Sequence, residues 1–451
     1  MKSSGEQLTG IIIVLYVSFQ SINGAKILFV AMASEKSHAL TMLPLAERLA
    51  SAGHDVSLMM NDFESVPQLS KTVPNIGLTL KGKHLDSKKD LMKIIWTKQF
   101  RPLFNTMPWL MDANDLVANQ LSDVELRAKF DALANQHWDL VFVDSLFSTT
   151  GIVIGWKHKM VQMHTSQILS EYAAGYGLDR PVSCTVPIFL PHSTGSIDFR
   201  LFWDRWFAFT QHLESAFMWT LPIQYIVRGA TAQLGENNFS WSEHFNRTIF
   251  SFFDYPLTIG FPNALTHETM SVADGCNLNV SAKPLPAEFA SFVEDPTSKG
   301  TILVALGSIV DWFEAPQSAL NAFVDTMTAM PQYRFVWGYK GPDVKLPKNV
   351  IASKWMPQAD LLLHKNTKLF IGHGGMKSVR EAICAGVPVV YMAMFAEQVY
   401  NAWMARRAGM AEFVNKFTLS SHTLTAALQR ALDNPELERQ TKRRRAQWSD
   451  Q

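Results

Sequence analysis

The 451-residue chain carries only three cysteines, Cys184, Cys276 and Cys384, so at most one internal disulfide can form and a disulfide-stapled scaffold is excluded. It has no surplus of charge. With 41 Lys and Arg against 40 Asp and Glu, the formal net charge of +1 offers little to a polyanion and argues against a nucleic-acid partner. At 47% hydrophobic and 18% charged residues, it is not a disordered chain. After residue 25 no stretch is long and apolar enough to span a membrane as a helix. The familiar phosphate-binding signatures are missing too. A P-loop ending in Lys377-Ser378 would need glycine at positions held by Ile371 and Met376. The glycine-free "AMASEKSH" that follows the first apolar run is no dinucleotide fingerprint, and "GHGGMK" (372–377) lacks the third glycine. Nor is there an Asp-x-Asp pair to hold a divalent cation on a diphosphate.

The N-terminus has Lys2, the apolar "LTGIIIVLYVSF" (8–19) and small residues in "SINGA" (21–25), the layout of a cleaved secretory signal peptide over residues 1–25. Glycosylation acceptor triplets begin at Asn238, Asn246 and Asn279. Leader and triplets together point to the secretory pathway.

From Lys26 apolar strand runs alternate with helical patterns. "KILFVAMA" (26–33) is followed by a helix ended by Gly53 and another strand, and "WDLVFVDS" (138–145) ends in a carboxylate. A Met- and aromatic-rich region covers about 90–230. After a Pro- and Lys-containing linker at 281–300 the alternation restarts with "TILVALGS" (301–308), "YRFVWGY" (333–339), "VIASKW" (350–355), "KLFIGHGG" (368–375) and "VPVVYMAM" (387–394). This predicts an α/β protein with two facing Rossmann-like, doubly wound domains, 26–280 and 301–451, with ligands outside the carboxyl ends of the strands.

In the turn at 372–378, Gly374 and Gly375 permit a tight strand-to-helix connection with outward-pointing N–H groups. Ser378 would open the helix and Glu381 would complete a capping box, with His373 beside any anion at the helix N-terminus.

Around this turn lie Trp355-Met356-Pro357-Gln358, His373-Gly374-Gly375, Ser378, Glu381-Ala382, Gly386-Val387-Pro388 and Phe395-Ala396-Glu397-Gln398 followed by Asn401. In this order they resemble the signature of the UDP-glycosyltransferase family, the animal enzymes that glucosylate or glucuronidate small lipophilic compounds. "KPLPAEFASFVED", "LVALGSIV" and the order of the N-terminal half are similar as well. The resemblance implies the two-domain fold named GT-B, with UDP-glucose or UDP-glucuronic acid as donor. It implies that Trp355 stacks on uracil, Gln358 bonds the nucleoside and Glu381 accepts from the ribose hydroxyls, which leaves capping by Glu381 a secondary role. His373, Gly375 and Ser378, with Gly307 and Ser308, would hold the diphosphate; Glu397 and Gln398 would bond the sugar, with Asn401 nearby. At position 377 the family commonly has Asn or Gly; Lys377 is expected to face solvent, the alternative being that it adds charge at the diphosphate.

The resemblance also implies a catalytic pair. "SEKSHA" supplies His38 as general base, and "VFVDS" supplies Asp144 to fix its tautomer. Attack opposite the leaving UDP would invert the anomeric centre. No cofactor or metal is expected, because a helix N-terminus, His373 and serines can meet the leaving charge. The 90–230 region is expected to form an apolar acceptor pocket, with part of "FRLFWDRWFAF" (199–209) lying against a membrane surface. In the family a transmembrane helix and cytosolic tail follow; this sequence stops at "TKRRRAQWSDQ" (441–451), a basic run read as a solvated helix end. Two rivals stand beside the enzyme: a catalytically silent binder of lipophilic molecules, and a transferase or phosphorylase acting on polymeric glycans.

Overall fold

The computed structural model describes residues 24–33, 36–62, 65–81, 86–98, 117–144, 148–164, 198, 200–254, 256, 259–261, 267–273, 275–276 and 281–449. Most of the expected leader and Asn279 lie outside the described residues.

Two parallel sheets organise the chain. The first contains β1 (Lys26–Val30), β2 (Asp55–Met59), β3 (Leu140–Asp144), β4 (Met160–His164), β5 (Thr248–Phe253) and β6 (Thr269–Ser271), in the order β2-β1-β3-β4-β5-β6. The second contains β7 (Thr301–Ala305), β8 (Arg334–Gly338), β9 (Val350–Ser353), β10 (Thr367–Gly372), β11 (Val389–Tyr391) and β12 (Ala411–Phe413), in the order β12-β11-β10-β7-β8-β9. Helices of the first half are α1 (Lys36–Ser51), α2 (Asp86–Thr97), α3 (Val124–Ala134), α4 (Thr149–Gly155), α5 (Phe202–Met218), α6 (Gln224–Gln233) and α7 (Trp241–Arg247). Those of the second are α8 (Ala287–Val293), α9 (Gln317–Ala329), α10 (Gln358–Leu363), α11 (Met376–Ala385), α12 (Gln398–Arg407), α13 (Ser421–Leu432) and α14 (Pro435–Ser449). Two doubly wound α/β domains are therefore present, as the alternation of apolar runs predicts.

The strands read as unbroken apolar runs because both faces of each sheet are covered. In the first sheet the side chains alternate. Phe29 and Phe142 stack at 4.2 Å, and both join Ala39, Met42 and Ala46 of α1 in one core layer. Leu28, Val30, Val141 and Val143 point the other way, toward Ile152–Ile154 of α4. Four strands, β4, β5, β6 and β12, are additional to those legible in the sequence.

Helix α2 departs from expectation. Met92, Ile95 and Trp96 are buried in the core of the second half with Leu306, Trp312 and Met394, not in an acceptor pocket. The indole explains the choice: Trp96 Nε1 donates to the Asp311 carbonyl at 2.9 Å, and the Trp96 and Trp312 rings lie 5.1 Å apart. Residues 99–116 and 165–197, both within the expected pocket region, lie outside the described residues. The C-terminal basic run is a helix with a buried side, since Leu437, Thr441 and Trp448 of α14 are inside. Cys276 and Cys384 form a disulfide that joins the segment after β6 to α11.

Candidate active site

Asp144 is the last residue of β3 and is 1% exposed; His38 stands in the first turn of α1, which follows β1. Because β1 and β3 are hydrogen-bonded neighbours, the two side chains meet at the carboxyl edge of the sheet. His38 Nδ1 lies 2.7 Å from Asp144 Oδ2, which also accepts from the Met32 amide at 3.1 Å. The carboxylate thus fixes the imidazole as the Nδ1–H tautomer and leaves Nε2 as the basic nitrogen. The His38 side chain is 15% exposed.

On the second sheet, three glycines shape the turn after β10 around His373. A Cβ on Gly307 (φ +81°) would lie 2.7 Å from the imidazole, and one on Gly375 2.5 Å from Nε2. Gly374 (φ +92°) passes so close to Gln398 that a Cβ would meet its carbonyl oxygen at 2.6 Å. Only glycine fits such approaches. Burial pushes the His373 imidazole down to about 4, against a smaller raising effect of a hydrogen bond to the Ala305 backbone, so the ring is neutral at physiological pH. Its Nδ1 is buried and has no partner among the described residues. Ser308 is exposed beside Gly307 in the turn after β7.

The expected capping box does not form. Gly375 itself takes the N-cap conformation (φ −61°, ψ 135°), so α11 begins at Met376 and Ser378 falls on its third residue. There the Ser378 hydroxyl is buried and accepts from Gln358 Nε2 at 3.2 Å, while Gln358 also donates to Glu381 Oε2 at 2.5 Å. Ser378, Gln358 and Glu381 form one cluster between α10 and α11. Burial raises the Glu381 carboxyl; the Gln358 hydrogen bond and the nearby Lys377 and Arg380 charges oppose this. Lys377 is exposed and reaches the cluster only through its field. Trp355, three residues before Gln358, is 70% exposed.

The loop after β11 ends in Glu397, half-buried at the N-cap of α12. Gln398 turns inward: its Oε1 accepts from the Met394 and Phe395 amides at 3.0 and 3.2 Å. Asn401 is fully buried, and its Nδ2 donates to the Gly374 carbonyl at 2.9 Å. This bond ties the loop to the His373 turn. Asn238 and Asn246 are exposed, well apart in the sequence from either cluster, on the loop before α7 and on α7.

Sequence reading missed two residues that join the halves. Asp254 follows β5, and its Oδ1 lies 2.5 Å from Arg380 Nη1 on α11. The pair brings the carboxyl edge of the first sheet against the helix that leaves the carboxyl end of β10. Asp254 carries the same signal as Asp144, a carboxylate closing an apolar run ("FSFFD", 250–254). Arg380 adjoins Glu381 in the motif.

Comparison with known proteins agrees with this arrangement. The family model for "UDP-glucoronosyl and UDP-glucosyl transferase" matches residues 25–444. UDP-glucuronosyltransferase 1A8 of Homo sapiens is 26% identical over 422 residues, covering 91% of this chain and 76% of the relative. UDP-glucosyltransferase 2 of Dactylopius coccus is 24% identical, with 93% of this chain and 79% of the relative covered. Among solved structures, the spinosyn forosaminyltransferase SpnP superposes with a TM-score of 0.61 at 15% identity, covering 94% of this chain and 95% of that one, a likeness of fold. The chain therefore belongs to the UDP-glucuronosyl and UDP-glucosyl transferase family, and is a glycosyltransferase that draws its sugar from a UDP-sugar donor.

Proposed function

We propose that the protein transfers glucose or glucuronic acid from its UDP-sugar to a hydroxyl of a small lipophilic acceptor, with inversion, and that His38 is the general base. The 2.7 Å contact between His38 and Asp144 at the sheet edge carries this reading. In the reaction, His38 Nε2 takes the acceptor proton as the hydroxyl oxygen attacks the anomeric carbon from the side opposite UDP. The anomeric C–O bond breaks and its electron pair stays on the β-phosphate oxygen. Asp144 stabilises the imidazolium that results.

Donor contacts follow from the second site. Trp355 stacks on uracil, and Gln358 and Glu381 bond the nucleoside. His373, Ser308, Ser378 and the N–H groups at the start of α11 meet the diphosphate, whose leaving charge is stabilised by the positive end of the helix. Neutral His373 serves there as a hydrogen-bonding group and not as a cation. Glu397 and Gln398 lie at the sugar end. No divalent cation is required in this scheme, so turnover persists with chelator present. The Cys276–Cys384 bond supports an oxidising compartment, in keeping with the secretory reading. We further infer membrane-surface association through α5, where Phe202, Trp206, Leu213 and Phe217 are all exposed along one helix face.

Calorimetric titration with UDP-glucose and UDP-glucuronic acid, followed by UDP release with a panel of phenols, tests the assignment. Binding of at least one donor and phenol-dependent release are expected. Donor binding without release would leave a silent lipophile binder.

A further inference from the structure

The loop that runs from β11 into Glu397 and Gln398 is not relaxed. Ala396 sits at φ +51°, a conformation that residues with a Cβ rarely adopt and that persists only where the surrounding structure imposes it. On the inner side, the Gln398 side chain grips the Met394 and Phe395 amides. On the outer side, the Met394 carbonyl is met by Lys416, a lysine only 7% exposed.

Lys416 has a second partner from the other end of the chain. Its Nζ also donates to the carbonyl of Ile95, in the last turn of α2. That carbonyl is among those that a helix leaves without an intrahelical partner, and the negative end of the helix dipole favours a lysine there. Helix α2 is anchored at the same place by Trp96, through Asp311 and Trp312, a few residues after the Gly307-Ser308 turn. The lysine therefore stands where a helix of the acceptor half meets a strand end of the donor half. Burial lowers its ammonium to about 7. What keeps it in place is the pair of carbonyls, together with the Phe417 ring 4.9 Å away.

We propose that Lys416 is a positioning residue for the sugar part of the donor: by binding the Met394 and Ile95 carbonyls together, it holds the Ala396–Gln398 loop in its strained, sugar-facing shape. The inference rests on the reading of Glu397 and Gln398 as the sugar end of the site. It adds that α2, from the other half, is part of that loop's support. Loss of the lysine lets the loop relax, so contacts to the hexose weaken while those to uracil, ribose and diphosphate remain.

The test compares the full wild-type chain with Lys416→Met, Lys416→Gln and Lys416→Arg, measuring KM for the UDP-sugar and the Kd of UDP alone. Lys416→Met is expected to raise KM for the UDP-sugar about tenfold, the effect of losing hydrogen bonds from a charged donor, with UDP affinity moving less than about twofold. Lys416→Arg and Lys416→Gln, which keep a donor, should recover part of the loss. Equal weakening of UDP and UDP-sugar would reduce Lys416 to general structural support, and no change in either would remove its role; both overturn the proposal. Should the Met variant fail to fold, the same ratio measured on Lys416→Gln decides. If wild-type protein binds UDP-sugar no differently from UDP, the sugar-loop reading itself falls, and this proposal with it.

Discussion

Arg380 Nη1 of α11 lies 2.5 Å from Asp254 Oδ1 just after β5, so the helix that begins at the His373 turn is fastened to the edge of the opposite sheet. The side chains are 18% and 6% exposed. Removing one partner of such a pair takes from the other, largely buried charge its short contact, at a cost of up to about 3–5 kcal/mol. Arg380→Ala is therefore expected to destabilise more than Arg380→Ala combined with Asp254→Ala. Denaturant unfolding of the single and double variants measures the difference; equal losses would show that the contact carries no coupling.

The base assignment makes a kinetic prediction. His38→Ala should lower kcat about 10²- to 10⁴-fold, the range for a positioned proton acceptor, with UDP-sugar affinity little altered. Asp144→Asn should also lower kcat, because an amide can donate to Nδ1 and so favour the wrong tautomer. Single-turnover rates with a phenol acceptor check both; undiminished turnover in His38→Ala would remove the base.

His373 gives a pH signature with a definite sign. Its folded-state value of about 4 lies below the ordinary 6.5, so the unfolded chain takes up the proton first as the solution is acidified. The stability tied to this group is fully present above about 6.5 and is lost as pH falls through 4. Thermal melts from pH 7 to pH 4 should decline more steeply for wild type than for His373→Asn. Parallel curves would contradict the buried, neutral ring.

The exposed face of α5 can be tested with lipid. Trp203 is 73% exposed and Phe217 54%, so Trp203→Glu with Phe217→Glu changes the surface without opening a core. Flotation with phosphatidylcholine vesicles should carry the wild-type chain and leave the variant behind. Equal flotation of both would end the membrane-surface reading for this helix.

Much of this architecture was legible because buried parallel strands announce themselves as apolar runs, and because the polar residues of both clusters follow such runs. Lys26–Val30, Leu140–Asp144 and Thr367–Gly372 were plain for that reason. Strand β4 was not, since "MVQMH" contains Gln162 and His164. Gln162 is inside because it bonds His244, which in turn accepts from Trp156 Nε1, a network no local pattern reveals. The Ser378–Glu381 cap was misread for a related reason: spacing allowed it, but Gly375 had already begun the helix and Gln358, from another element, claimed both side chains. Docking of α2 on the far domain is likewise a long-range event, decided by Trp96 and Lys416 and invisible in its own twelve residues.

The Cys276–Cys384 bridge spans 108 positions and encloses nearly all of the stretch between the two sheets. A protease that nicks the backbone anywhere between those cysteines leaves a single covalent molecule. Two fragments would separate on a gel only after a thiol is added, so intactness of this enzyme has to be judged under reducing conditions.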